Sequence, residues 1–181
     1  MSIGRAAAAA LFLFACVCQA QAPARSFLVV AADPLAADAG YSILKLGGSA
    51  VDAAIAVQAV LGLVEPQSSG IGGGAFMLHW SARERKLRAY DGREAAPASI
   101  DRRLFLDPQG RPLDFHDAAV GGQSVGVPGV LRMLELAHQR HGRLRWAESF
   151  QYAIFAAEEG FALPARLHEQ LAAERYLQQD E

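Results

Sequence analysis

Four short stretches carry residue types that could do chemistry. In Tyr90-Asp91-Gly92-Arg93-Glu94-Ala95-Ala96-Pro97, Arg93 stands just past a run that reads as a strand. Loops at strand ends carry function more often than strand interiors, and a guanidinium fork binds a carboxylate through two parallel hydrogen bonds. The plain alternative is a salt bridge to Glu94, Asp91 or a distant acid. On composition alone the salt bridge is favoured, because most arginines are structural or solvated.

Gly70-Ile71-Gly72-Gly73-Gly74-Ala75 satisfies the dinucleotide fingerprint G-x-G-x-x-G/A. That fingerprint needs a strand before it and a helix after it, so that a helix N-terminus meets the pyrophosphate. Here a helical pattern precedes and a strand pattern follows, so the order is inverted. Two other readings stay open: a tight turn leading into a central strand, or glycines that let the backbone approach another segment closely.

Gly122-Gln123-Ser124-Val125-Gly126 satisfies the nucleophile elbow G-x-S-x-G. A helix begins shortly afterwards at Pro128, but Ala118-Ala119-Val120 is too short to be the strand an elbow requires. Glu148 or Glu158 with His168 would have to complete the triad. The plain reading is a flexible loop closing onto a helix start. His138 and His141 lie three apart on one helical pattern, yet no third ligand stands at a supporting spacing, so no metal site is expected. Near a helix C-terminus they suit the dipole.

The elements that must position these residues follow from periodicity. Phe27–Ala32 is a short apolar run and predicts a buried strand. Asp33-Pro34 opens a helix with Leu35, Ala39, Ile43 and Leu46 at helical spacing, closed by Gly47-Gly48 as a left-handed cap. Ser49 and Asp52 form a capping box with Asp in place of Glu. Residues 50–64 are then helical and apolar on nearly every side, as in a buried helix. Residues 65–74 are a loop. Residues 75–80 and 86–90 form a β-hairpin about Ser81–Glu84. Residues 91–122 read as irregular, with a turn at Asp107–Gly110. Helices follow at about 128–141, 146–159 and 164–178, broken by Gly142 and Gly160. The uncapped helical pattern at Gln178–Glu181 gives the expectation that the chain is cut, not finished.

Of the 181 residues 52% are hydrophobic and 20% charged, which fits a globular protein and excludes a disordered or fibrous chain. Seventeen basic against nineteen acidic residues leave no basic face for nucleic acid. The chain has no Thr and no Asn, so neither a Thr nucleophile nor an N-glycosylation acceptor is available. Residues 1–22 read as a secretory signal peptide: Arg5, an apolar stretch from Ala6 to Val17, and cleavage after Ala20 or Ala22. That stretch is too short for a stable membrane span. Leu13-Phe14-Ala15-Cys16 loosely resembles a lipoprotein box, with Phe14 a poor fit. Cleavage removes both cysteines and with them any disulfide, Cys nucleophile or Cys-bound metal. The protein is therefore expected to be periplasmic or secreted.

Three segments carry a family resemblance: VVAADPLAADAGYSILKLGGSAVDAAIAVQAVLGLVEPQSSGIGGGAFML, DGREAAPA and SVGVPGVLRMLELAHQRHGRLRWAESFQYAIFAAEEGF. In this order and spacing they resemble the N-terminal part of the large subunit of γ-glutamyltranspeptidases, from about Val29 to the C-terminus. The resemblance implies an α/β (α+β) fold of the N-terminal-nucleophile hydrolase type, a four-layer α/β/β/α sandwich incomplete in this chain. Residues 23–181 would be the N-terminal portion of the large-subunit region.

The family cuts its precursor into two subunits, and the small subunit's new N-terminal Thr attacks the γ-glutamyl carbonyl of glutathione or a related donor. The acyl group then passes to water, an amino acid or a peptide. By resemblance Arg93 holds the donor's α-carboxylate, which reverses the composition-level preference. Ser124 has no nucleophilic role, no catalytic residue lies in this chain, and no metal or organic cofactor takes part. The implied partners are the γ-glutamyl substrate and the protein's own small subunit. Where the family often has four glycines, this chain has three and then Ala75. Two alternatives are a cephalosporin-acylase-like relative, against which Arg93 weighs, and a non-enzymatic structural or binding domain.

Overall fold

A computed structural model describes residues 27–176. The signal-peptide reading of residues 1–22, the cleavage sites, Cys16 and the chain end beyond Tyr176 lie outside the described residues.

Phe27–Ala32 is not a strand. It runs extended into the first helix, with Val29 and Ala31 turned inward and Leu28 and Val30 out to solvent. A strand needs a ladder partner, and the one sheet among the described residues is the hairpin further along. Helix α1 (Pro34–Lys45) opens as expected, the Asp33 carboxylate accepting from the Leu35 N–H at 2.8 Å. It ends in a Schellman motif: Gly47 N–H donates to Leu44 O, Gly48 N–H to Ile43 O, and Gly47 takes φ +92°. The buried stripe is Ala36, Ala39, Gly40 and Ile43. Ala39 and Ile43 are buried as expected, whereas Leu35 and Leu46 at the two ends are exposed and Ala36 and Gly40 complete the face packed on the next helix.

Helix α2 (Ala50–Val64) begins with the reciprocal Ser49–Asp52 box. It is the central element. One face joins Ala53, Ala56, Val60 and Val64 to α1. The other places Val51 and Ile55 against Tyr90, Val130, Met133 and Leu134. A helix with cover on two faces can afford apolar residues all round.

Strands β1 (Ala75–Ser81) and β2 (Lys86–Gly92) pair antiparallel, with Ala75 opposite Gly92 and His79 opposite Arg88. Ala75, Met77 and Tyr90 pack inward; Phe76, Leu78, Trp80 and Leu87 point out and are exposed. The region read as irregular contains one short helix, α3 (Phe115–Ala119). Its N-cap is Asp114, whose side chain makes no cap hydrogen bond, and its five residues are too few to show a helical period in the sequence. The turn at Asp107–Gly110 is present, with Gly110 at φ +79°. Helices α4 (Val130–His141), α5 (Gln151–Glu159) and α6 (Ala165–Ala173) follow, and Gly142 and Gly160 cap α4 and α5. Trp146–Phe150 is a 3-10 turn ahead of α5, and α6 ends at Ala173, short of the expected reach. The class is α+β. No helix among the described residues is long and apolar enough to cross a membrane.

Candidate functional site

Three loops meet at the end of the hairpin where β1 starts and β2 finishes. The glycine loop enters β1, residues 93–97 leave β2, and residues 122–127 approach α4. Backbone hydrogen bonds tie them together. Gly73 O accepts from the N–H groups of Gly129 and Val130, both at 3.2 Å, and Ala95 exchanges two hydrogen bonds with Val127 at 3.2 and 2.8 Å. Glu94 fills the gap between the loops. A Cβ on Gly74 would collide with its Oε2 and lie 2.8 Å from its backbone N, and a Cβ on Gly126 would lie 3.0 Å from its Cβ.

The glycine run therefore serves close approach to another segment, one of the two readings left open. The dinucleotide reading fails on order, since α2 precedes the loop and β1 follows it.

The loops enclose a cleft of about 560 Å³ whose walls include Arg93, Glu94, Arg102, Phe105 and Ser124. That volume suits a small-molecule ligand. Arg93 sits at the first turn after β2, its backbone N–H donating to Asp91 Oδ1 at 2.9 Å. Its Nη1 lies 3.2 Å from Glu94 Oε2. The ion pair foreseen as an alternative thus exists, but it occupies one corner of the guanidinium. The side chain is 68% exposed, and among the described residues Nε and Nη2 have no partner, which leaves donors enough for a side-on fork on a carboxylate.

Ser124 lines the same cleft but is not activated. Its Oγ is 2.6 Å from Ala119 O and 3.0 Å from Gly121 O, both carbonyls to which a hydroxyl donates. No histidine is hydrogen-bonded to it among the described residues. Glu148 is engaged by Arg145, whose backbone N–H and guanidinium hold its carboxyl below the usual carboxylate range. A base and an orienting acid are both missing, so the elbow pattern is a coincidence of spacing.

His138 and His141 face different partners. His138 Nε2 is 3.0 Å from Leu144 O and 3.4 Å from Asp52 Oδ1. His141 Nε2 is 2.8 Å from the Tyr90 hydroxyl, and its ring stacks on His79 at 3.9 Å. No group of three or more His, Cys, Asp or Glu among the described residues is placed to hold a metal ion. The sequence reading missed the second role of Asp52, whose box pattern marks a helix start and says nothing of the loop ninety residues on. It also missed the buried Glu65, held by Gln67 at 2.8 Å and Arg166 at 3.2 Å.

A profile of the γ-glutamyltranspeptidase family matches residues 36–181. The chain belongs to the γ-glutamyltranspeptidase family. It is 39% identical over 145 residues to a glutathione hydrolase proenzyme of Bacillus subtilis (strain 168), covering 80% of this chain and 25% of the relative. Among solved structures, the γ-glutamyltranspeptidase of Pseudomonas nitroreducens superposes with a TM-score of 0.78 at 34% identity, covering 82% of this chain and 44% of that one. A cephalosporin acylase of Bacillus halodurans superposes at 0.64 with 36% identity, over 76% of this chain and 25% of that one. The N-terminal-nucleophile hydrolase fold expected from the resemblance is thereby borne out. The chain spans about a quarter of the length of the curated relatives it matches.

Proposed function

We propose that this γ-glutamyltranspeptidase-family chain supplies the donor-recognising N-terminal part of a precursor that cleaves γ-glutamyl bonds. Residues 1–22 direct export to the periplasm or medium. Residues 23–181 form the start of the large-subunit region. The donors are glutathione and related γ-glutamyl compounds. The γ-glutamyl group passes to water, an amino acid or a peptide through an acyl-enzyme on a Thr that this chain lacks.

One observation carries the reading: Arg93, on the D-G-R-E-A-A-P loop, presents a partly free guanidinium to a ligand-sized cleft. Such a fork reads a planar carboxylate, and a γ-glutamyl donor offers one on its α-carbon. Glu94 is wedged among the glycines and holds one corner of the fork, leaving the other edge for substrate. An acylase acting on a donor without that carboxylate has no use for the fork.

The hairpin supports a partner on its far side. Phe76, Leu78, Trp80 and Leu87 leave an apolar face in solvent on a sheet of two strands. A lone hairpin is marginal by itself, and a contiguous apolar patch marks an interface. The small subunit released by self-cleavage is the partner this reading requires. The test compares chromophore release from a γ-glutamyl anilide by the 181-residue chain and by the full precursor. Release by the precursor alone is expected. Release by the isolated chain that Ser124→Ala abolishes would overturn the reading.

A further inference from the structure

We infer that Arg102 forms a second carboxylate subsite in the Arg93 cleft and reads the distal carboxylate of the donor; the inference rests on the function proposed above. Four charged side chains line the cleft: Arg93, Glu94, Asp101 and Arg102. Three of them are compensated. Glu94 pairs with Arg93 at 3.2 Å. Asp101 pairs with Arg103 through Nη2 at 3.1 Å and also accepts from the Arg103 backbone N–H at 2.9 Å. Arg102 alone has no ionic or hydrogen-bonding partner among the described residues.

The local backbone explains why it stays free. Residues 97–104 form two successive tight turns, Ile100 N–H donating to Pro97 O and Leu104 N–H to Asp101 O, each at 3.0 Å. The Asp101 carboxylate bonds the amide two residues on, an Asx turn that presents Arg102 at the apex. The acid that could have neutralised Arg102 is thus committed to its neighbour. The cleft is left with one uncompensated guanidinium besides the partly free fork of Arg93. Two cationic groups in one cavity fit a ligand with two carboxylates. Glutathione has a second carboxylate on its glycine, at the end remote from the γ-glutamyl α-carbon.

The experiment uses the full precursor after self-cleavage and measures KM for glutathione and for its glycine-amidated form, both of which keep the γ-glutamyl α-carboxylate. The native enzyme is expected to have a KM for glutathione about two- to fivefold lower than for the amide, the range of a solvent-accessible ion pair. Arg102→Ala should bring the ratio to about one, with Arg102→Lys between. Equal KM values in the native enzyme, or a preference that survives Arg102→Ala, overturn the Arg102 subsite while turnover of both donors upholds the function beneath it. Turnover of neither donor overturns both.

Discussion

The fully buried carboxylate of Asp52 faces the imidazole of His138, Oδ1 to Nε2, at 3.4 Å. The other oxygen, Oδ2, accepts from three backbone amides: Ser49 at 2.7 Å, Arg143 at 2.9 Å and Leu144 at 3.4 Å. A helix cap at residue 52 is therefore also the anchor of the loop that follows α4. His138 Nε2 also lies 3.0 Å from the Leu144 carbonyl. Both neighbours of Nε2 are acceptors, so Nε2 carries the proton. The far end of α4 is pinned here, while its near end binds Gly73 of the glycine loop.

Asp52→Asn should destabilise the precursor by about 1–3 kcal/mol, the cost of lost charge-assisted hydrogen bonds and an unsatisfied buried group. An amide presents one donor edge, which must meet either the three N–H groups or the protonated Nε2. The urea midpoint followed by tryptophan fluorescence measures this, and an unchanged midpoint would show that the carboxylate is dispensable.

His141 supplies a pH dependence of defined sign. Burial, followed by the charges of His79 and Arg88, holds its imidazolium below the ordinary histidine value of 6.5, while Glu84 opposes the shift. The folded state then binds fewer protons than the unfolded state just below pH 6.5, so stability is full above that pH and declines as pH falls through it. His141→Gln keeps a polar partner for the Tyr90 hydroxyl and does not titrate. Melting temperatures measured across this range should fall less steeply in the variant than in the native precursor. Equal slopes would assign the acid sensitivity to other groups.

The helix ends and the β1–β2 hairpin were legible in the sequence, and the backbone state of Phe27–Ala32 was not. Asp33, Gly47 and the Ser49–Asp52 box mark helix ends through local chemistry, and each end stands where its residues put it. Phe27–Ala32 has the composition of a strand, but a strand is defined by its ladder partner, and among the described residues no strand pairs with it. The cleft divides in the same way. Arg93 stood out by residue type and position after a strand. The committed state of Ser124 and the free state of Arg102 depend on carbonyls and acids whose orientation no spacing rule reports.

Gly74→Ala should uncouple the glycine loop from Arg93. The added methyl collides with the Glu94 carboxylate, and the backbone N of Glu94 lies 2.8 Å from the new carbon, so a rotamer change cannot relieve the clash. Glu94 must move, and the corner of the guanidinium it holds moves with it. The expected result is a rise in donor KM of tenfold or more, since recognition requires the fork to be held near its productive geometry. Unchanged KM in a variant that still self-cleaves would show that the loop tolerates the methyl without disturbing Arg93.

The central claim is that the Arg93 fork reads the donor's α-carboxylate. The direct measurement is kcat/KM of the processed precursor, in native, Arg93→Lys and Arg93→Ala forms, with a γ-glutamyl anilide and with its α-amidated counterpart. Lys keeps the charge but loses the planar fork, so Arg93→Lys should lower the value for the anilide by roughly ten- to hundredfold. The native enzyme should strongly disfavour the α-amide, and Arg93→Ala should remove most of that discrimination. Loss of thermal stability in Arg93→Ala with unchanged kinetics toward both donors would contradict the account and leave Arg93 as the ion-pair partner of Glu94 alone.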